Sequence, residues 1–302
     1  MSRDWNGVPG SSGSVDDIAD IILPEHRRRV EAIRDGAGPG VPAIQQAGRQ
    51  LLESSLVAWL HAASEPRHIA QVPEAKLLGE LILSLVDTSD TRSLVALYPH
   101  LASGTLAAVV ALMSEVATVS AELRRDMAGA VRRTLRRGSE QLPYRQLERR
   151  WVLSKLGEGL RWPPQERPRG LLIASPPPLV QMRSVDLDAL THAIWYVTDF
   201  GRLPAPGWVP RTDLARIIDG LIARHIEDDE QLIELAATRL ALDIEESELS
   251  KAAEDRVSGF WSRFCSSGDS GVFEVVCHQG ARFAVYFRYR RSLTASGVLS
   301  LP

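Results

Sequence analysis

A chain of 302 residues, 44% hydrophobic and 24% charged, carries enough apolar content for a large core, in one helical domain or two smaller ones. A net charge of −3 excludes the basic footprint through which nucleic-acid binders meet phosphates. Cys265 and Cys277 are too few for a disulfide scaffold or a usual structural zinc site, and no apolar run approaches the ~18 residues a membrane helix needs.

The N-terminal stretch, residues 1–14, is rich in Gly, Ser and Asp and reads as a disordered tail. It lacks the basic and apolar regions of a signal peptide, so a cytoplasmic location is expected. The rest, 15–302, reads as a single helical domain. Ser14 or Asp16 can cap a first helix, which Pro24 should interrupt and the linker 36–42 should end.

Leu51, Leu52, Leu56, Val57, Leu60 and Ala63 recur at helical spacing, and a similar helix covers 74–86 up to the turn at 87–90. Shorter helices are expected at 91–98 and 103–115. A longer one at 118–137 has an outer face of Arg124, Arg125, Arg132, Arg133, Arg136 and Arg137. The next runs from Pro143 to Leu156, with Gly157 as its stop.

The proline-rich stretch 158–183 predicts an irregular connection and a place where the domain can break into sub-domains. Helical patterning returns at 184–200, 210–226, 229–242 and 247–264. The tail alternates more like a short β-hairpin, with strands around the turn His278-Gln279-Gly280, although a last helix over 283–299 also fits. The expected class is therefore mainly all-α. Helix starts roughly 43–51 residues apart suggest helical hairpins in an α/α-solenoid or a toroid-like array.

Function is expected on the helix at 184–201. Asp188, His192, Trp195 and Asp199 fall on one face at i, i+4, i+7 and i+11, with Thr191 and Thr198 beside them. Leu187, Leu190, Ile194 and Val197 supply apolar faces, so the polar stripe should look into partners or a cavity. An imidazole titrates near neutrality, and a carboxylate one turn away can orient it, so His192 and Asp199 are the candidate catalytic acid–base pair. Structural satisfaction of the same residues inside a core is the competing reading. Tyr144, Glu148, Trp151 and Lys155 share a face on the 143–156 helix at the same spacing. If both faces meet one cavity, Tyr144, Arg145, Glu148 and Trp151 would join Asp188, Thr191, Trp195, Tyr196, Thr198 and Arg202 in binding a substrate.

Other constellations are weaker. His61 and His68 flank a turn without a third metal ligand, and the run from His225 to Glu230 resembles a solvated charge cluster at a helix junction. Cys277-His278 matches no nucleophile motif. No Walker loop, dinucleotide fingerprint or G-x-S-x-G occurs, so no metal and no cofactor is expected.

Residues 191–201, THAIWYVTDFG, resemble T-H-x-(I/L)-(F/Y/W)-Y-x-T-D-F-G, the hallmark of a family of uncharacterised helical proteins from actinobacteria. Members tend to lie beside natural-product biosynthesis genes, which implies a dedicated biosynthetic enzyme or its partner and puts weight on Thr191, His192, Tyr196, Thr198 and Asp199. A later Y-H-x-T/S-L-V-A segment of that family corresponds here to residues 289–295. Arg290 stands there where a histidine is expected, which puts a two-histidine site in doubt.

The leading expectation is a cofactor-independent enzyme of specialised metabolism acting on a small molecule, free or tethered to a carrier protein, by elimination, isomerisation or intramolecular ring closure. The alternative is a helical scaffold that binds a partner biosynthetic enzyme or carrier through the Arg-rich 124–137 face. A third is a toroid acting on glycosidic bonds, which would need two carboxylates about 5–10 Å apart.

Overall fold

The structure is a computed structural model and describes residues 15–63, 73–136, 142–244, 247–267 and 270–285. Every regular element among these residues is helical, so the chain is all-α. The expected disordered tail at 1–14 lies outside the described residues. The chain divides into two compact units, residues 23–171 and residues 1–22 with 172–302. The 171/172 boundary falls within the proline-rich stretch, whose only regular elements are the 3₁₀ turns Leu172–Ala174 and Leu179–Gln181.

Helix α1 (Val15–Ala37) does not stop at Pro24, against the expectation from sequence. A proline removes one N–H and one i→i−4 bond, and the turns on either side retain theirs. In the unit 23–171, α2 (Val41–Ala63), α3 (Pro73–Val86), α4 (Ser89–Leu97), α5 (Pro99–Ala102), α6 (Thr105–Val116), α7 (Ala121–Arg136) and α8 (Pro143–Lys155) follow in order. Every residue of α6 from Leu106 to Met113 is buried, which its all-round apolar sequence requires. It packs against α2, α3, α7 and α8. Gly79 permits the close approach of α3: a Cβ there would sit 3.1 Å from Val116 Cγ1.

The remaining unit contains α9 (Ser184–Val197), α10 (Arg211–Arg224), α11 (Asp229–Ala241), α12 (Glu248–Ser267) and α13 (Ser270–His278). There α11 is central, packing on α9, α10 and α12. The expected β-hairpin is overturned as far as the described residues reach. VFEVVC lies in α13, Gln279 makes a turn, and helix resumes over 280–285. The reason is tertiary. Phe260, Trp261 and Phe264 of α12 offer a helical stripe, and the tail answers it with Phe273 and Phe283. Phe273 stacks on Phe264 at 5.8 Å, and Phe283 on Phe260 at 6.1 Å and Trp261 at 5.7 Å between ring centroids. Such packing outweighs the β-propensity of Val and Phe. The segment 289–295 lies outside the described residues.

Candidate functional site at the end of α9

Helix α9 starts where Asp186 reaches back to the backbone N–H of Arg183 at 3.0 Å. The Arg183 guanidinium grips the same carboxylate and holds its pKa below the ordinary range. Ser184 and Asp186 therefore lie inside the helix, at the first and third places beyond the capping residue Arg183. Leu187, Leu190, Ile194 and Val197 are buried as expected, and so are Thr191, Ala193, Trp195 and Tyr196.

The expected polar stripe divides along its length. Asp188 is exposed and His192 half-buried, whereas Trp195 and Asp199 are 4% exposed. The imidazole Nδ1 of His192 lies 2.7 Å from the backbone carbonyl of Asp188. A carbonyl can only accept, so Nδ1 carries the proton and the basic lone pair of the neutral ring is on Nε2. It is thus the backbone of Asp188, not its carboxylate, that orients the ring. Thr191 also turns inward, its hydroxyl 3.4 Å from the Asp188 carbonyl.

The chain then makes an unusual turn. Asp199 (φ 50°), Phe200 (φ 56°) and Gly201 (φ 75°) are successive left-handed residues. Asp tolerates this region, but for a bulky Phe it is an outlier costing on the order of 1–2 kcal/mol. Thr198 holds the turn: its hydroxyl donates to Ile194 O at 2.7 Å and accepts from the Gly201 amide at 3.1 Å. Backbone bonds from Phe200 N to Trp195 O (2.7 Å) and from Leu203 N to Thr198 O (2.9 Å) close it further. The T-D-F-G motif is thus a helix terminator with stored strain.

That strain sets the arrangement of side chains. Phe200 folds back against Trp195 (5.3 Å between centroids) and, edge to face, against Tyr196 (6.0 Å), which in turn neighbours His192 at 6.3 Å. The indole N–H of Trp195 is buried with no hydrogen-bond partner among the described residues. Asp199 Oδ2 lies 3.3 Å from the Arg202 guanidinium. His192, Tyr196, Phe200 and Trp195 therefore form one continuous aromatic wall, while Asp199 is joined to Arg202. Phe200 escaped the sequence reading. The only signal for it was its place before Gly201 in the motif.

Tyr144, Arg145, Glu148 and Trp151 lie on α8, in the other unit, where they satisfy one another locally. Arg145 bonds the buried Glu148 at 2.8 Å and lies over the Tyr144 ring at 5.1 Å. Trp151 meets Trp59 edge to face at 6.0 Å. Lys155 sits over both indoles, 4.8 Å from Trp59 and 5.8 Å from Trp151, and 3.1 Å from Glu115, which also accepts from the Trp59 indole at 2.6 Å.

Of the weaker candidates, His61 is fully enclosed and burial pushes its imidazole down to about 4. His68 lies outside the described residues. The run after His225 caps and clamps: Asp228 accepts from Gln231 N, while Glu227 and Asp229 pair with Arg256. Cys277 is buried within α13 rather than at a turn. Among the described residues no group of three or more His, Cys, Asp or Glu is placed to hold a metal ion, and no helix is long and apolar enough to cross a membrane.

Neither the curated proteins nor the solved structures contain a match to this sequence. A family model described as a domain of unknown function, DUF6895, matches residues 22–264, well over half of the sequence and including all of α9 and its turn. The chain belongs to the DUF6895 family.

Proposed function

We propose that the end of α9 is an acid–base site for a small molecule of bacterial specialised metabolism, presented free or tethered to a carrier protein. The observation that carries this reading is the strained turn at Asp199–Phe200–Gly201, because left-handed non-glycine residues persist where their placement is worth the cost and they cluster at functional sites. The orphaned Trp195 indole N–H supports it as a second uncompensated cost beside the same turn.

The roles follow from the geometry. His192, oriented by the Asp188 carbonyl, is the base through Nε2. Asp199 positions Arg202, which holds an anionic group, and Tyr196 and Phe200 form an apolar wall. In an intramolecular ring closure, Nε2 takes the proton of the attacking group as its lone pair forms the new bond to carbon. The leaving group departs with the electron pair of the broken bond and meets Arg202. Elimination and isomerisation use the same base, and no step calls for a cofactor. The resemblance of residues 191–201 to proteins beside biosynthetic genes in actinobacteria favours this chemistry.

The test is complementation of a strain lacking the gene, read as accumulated metabolites by mass spectrometry. His192→Ala and Asp199→Ala should restore none of the product that the wild-type gene restores, with folding checked by circular dichroism. Full restoration by both variants would overturn the assignment.

A scaffold role is the second reading, favoured by a specific feature of the other unit. Leu97, Tyr98 and Leu101 at the α4–α5 junction are 71%, 50% and 62% exposed, an apolar group suited to a partner enzyme or carrier. Loss of product with Leu97→Asp and Leu101→Asp but not with His192→Ala would favour it.

A further inference from the structure

The unit 23–171 has a pocket of about 320 Å³ lined by Val119, Ala121, Arg124, Arg125, Leu156 and Glu158. That volume lies at the small end of the range for small-molecule sites. Val119 and Leu156, both buried, contribute an apolar patch to its lining. Its charge is unbalanced. The carboxylate in the lining, Glu158, is paired with Arg132, and Glu122 at the start of α7 is 2.7 Å from Arg92. Asp87, beside the pocket segment, accepts both the N–H and the hydroxyl of Ser120.

Arg124 and Arg125 make no ion pair or hydrogen bond through their guanidinium groups among the described residues, and the Nε of Arg124 is buried without a partner. With no carboxylate of the described residues to answer them, the two guanidinium groups are open to charge-assisted hydrogen bonds from an anion. The Leu123 amide is already taken by the Ser120 hydroxyl at 3.2 Å, so recognition falls on the two guanidinium forks rather than on that amide.

We infer that this pocket binds a small molecule with a dianionic phosphoryl headgroup and a short apolar body. Two guanidinium groups lining one pocket favour a dianion over a monocarboxylate on charge. The headgroup meets Arg124 and Arg125, and the apolar body lies on Val119 and Leu156. This site is separate in residues and in chemistry from the acid–base reading of α9 and does not depend on it.

Calorimetric titration of the full chain with phenyl phosphate tests the inference, with benzoate, inorganic phosphate and benzyl alcohol as comparisons. Phenyl phosphate should bind saturably, more tightly than all three, and less tightly as salt is raised. Arg124→Gln and Arg125→Gln should each weaken it at least tenfold, while Arg136→Gln, an exposed residue of the same helix outside the pocket, leaves it unchanged. Circular dichroism checks the fold of each variant, and the exposed Arg125 gives a result that folding defects do not confuse. Absence of saturable binding overturns the inference. So does equal loss in Arg136→Gln, or benzoate or inorganic phosphate binding as tightly as phenyl phosphate.

Discussion

Helices α8 and α9 carry the same kinds of residue at the same helical spacing, an acid, an aromatic and a base on one face, yet the structure uses them in opposite ways. On the α8 face that carries this pattern the two charges are answered from within: Glu148 by Arg145, and Lys155 by Glu115 and two indole faces. At the end of α9 the half-buried His192 is oriented by backbone, Trp195 keeps an orphaned donor, and two non-glycine residues are held in the left-handed region. Spacing alone does not separate a packing cluster from a candidate site. What separates them is whether the polar groups close on themselves and whether the backbone relaxes.

If α8 belongs to a packing cluster, its loss should be paid in stability. Trp151 is 1% exposed and borders both Trp59 and Lys155. Trp151→Ala should cost about 3–5 kcal/mol, from lost transfer free energy plus the cavity left behind. Urea denaturation measures this directly. A cost near zero would mean that the indole packs against less than the structure shows, and the contrast with α9 would dissolve.

The second effect comes from His61, two residues beyond Trp59 on α2. Above pH 6.5 neither the folded nor the unfolded chain protonates this imidazole. As the pH falls from 6.5 towards the folded value of about 4, the unfolded state takes up a proton that the folded state refuses, so stability falls. The loss amounts to about 3 kcal/mol and is complete below pH 4, where both states are protonated. Carboxylates add their own slopes, so the measured quantity is the difference between wild type and His61→Phe across pH 7 to 4. Equal slopes for the two would show that His61 is not shut away from solvent.

The third sharpens the α9 side. Thr198 is fully buried and its hydroxyl bridges Ile194 O and the Gly201 amide. Thr198→Val removes the bridge and leaves an amide without its partner, at about 1–3 kcal/mol, whereas Thr198→Ser keeps it and should cost less. If the two variants are equally stable, the hydroxyl does not hold the turn.

These elements also show what was readable in the amino acids alone. Helical periodicity in α2, α3 and α6–α12 was plain because three- and four-residue spacing of Leu, Ile and Val survives any tertiary arrangement. The α13 tail misled because Val and Phe suit a strand as well as a helix, and ring contacts with the preceding helix α12, which no pattern within the tail encodes, decide between them. In the site, the burial of Leu190, Ile194 and Val197 followed from pattern. The left-handed run did not, since Asp tolerates positive φ without requiring it, Phe disfavours it, and only Gly201 announced the stop. The pairing of Lys155 with Glu115 and Trp59 joins three helices, and no local spacing encodes it.

The smallest expected effect is the most discriminating. His192 is half-exposed and its Nδ1 bonds a carbonyl of its own helix. His192→Gln should therefore shift stability by no more than about 0.5 kcal/mol, the usual range for a surface change. In the wild type at a pH where the ring is neutral, nitrogen-15 spectra should show the proton on Nδ1 and a bare Nε2, because the Asp188 carbonyl offers Nδ1 nothing but a lone pair. A proton on Nε2 instead would remove the base from the proposed chemistry while leaving the fold untouched. A large loss of stability in His192→Gln would move this residue to the side of Trp151, as packing. A stable His192→Gln variant, together with the Nδ1–H tautomer in the wild type, keeps the contrast between the two helices and leaves Nε2 as the basic nitrogen of the proposed chemistry.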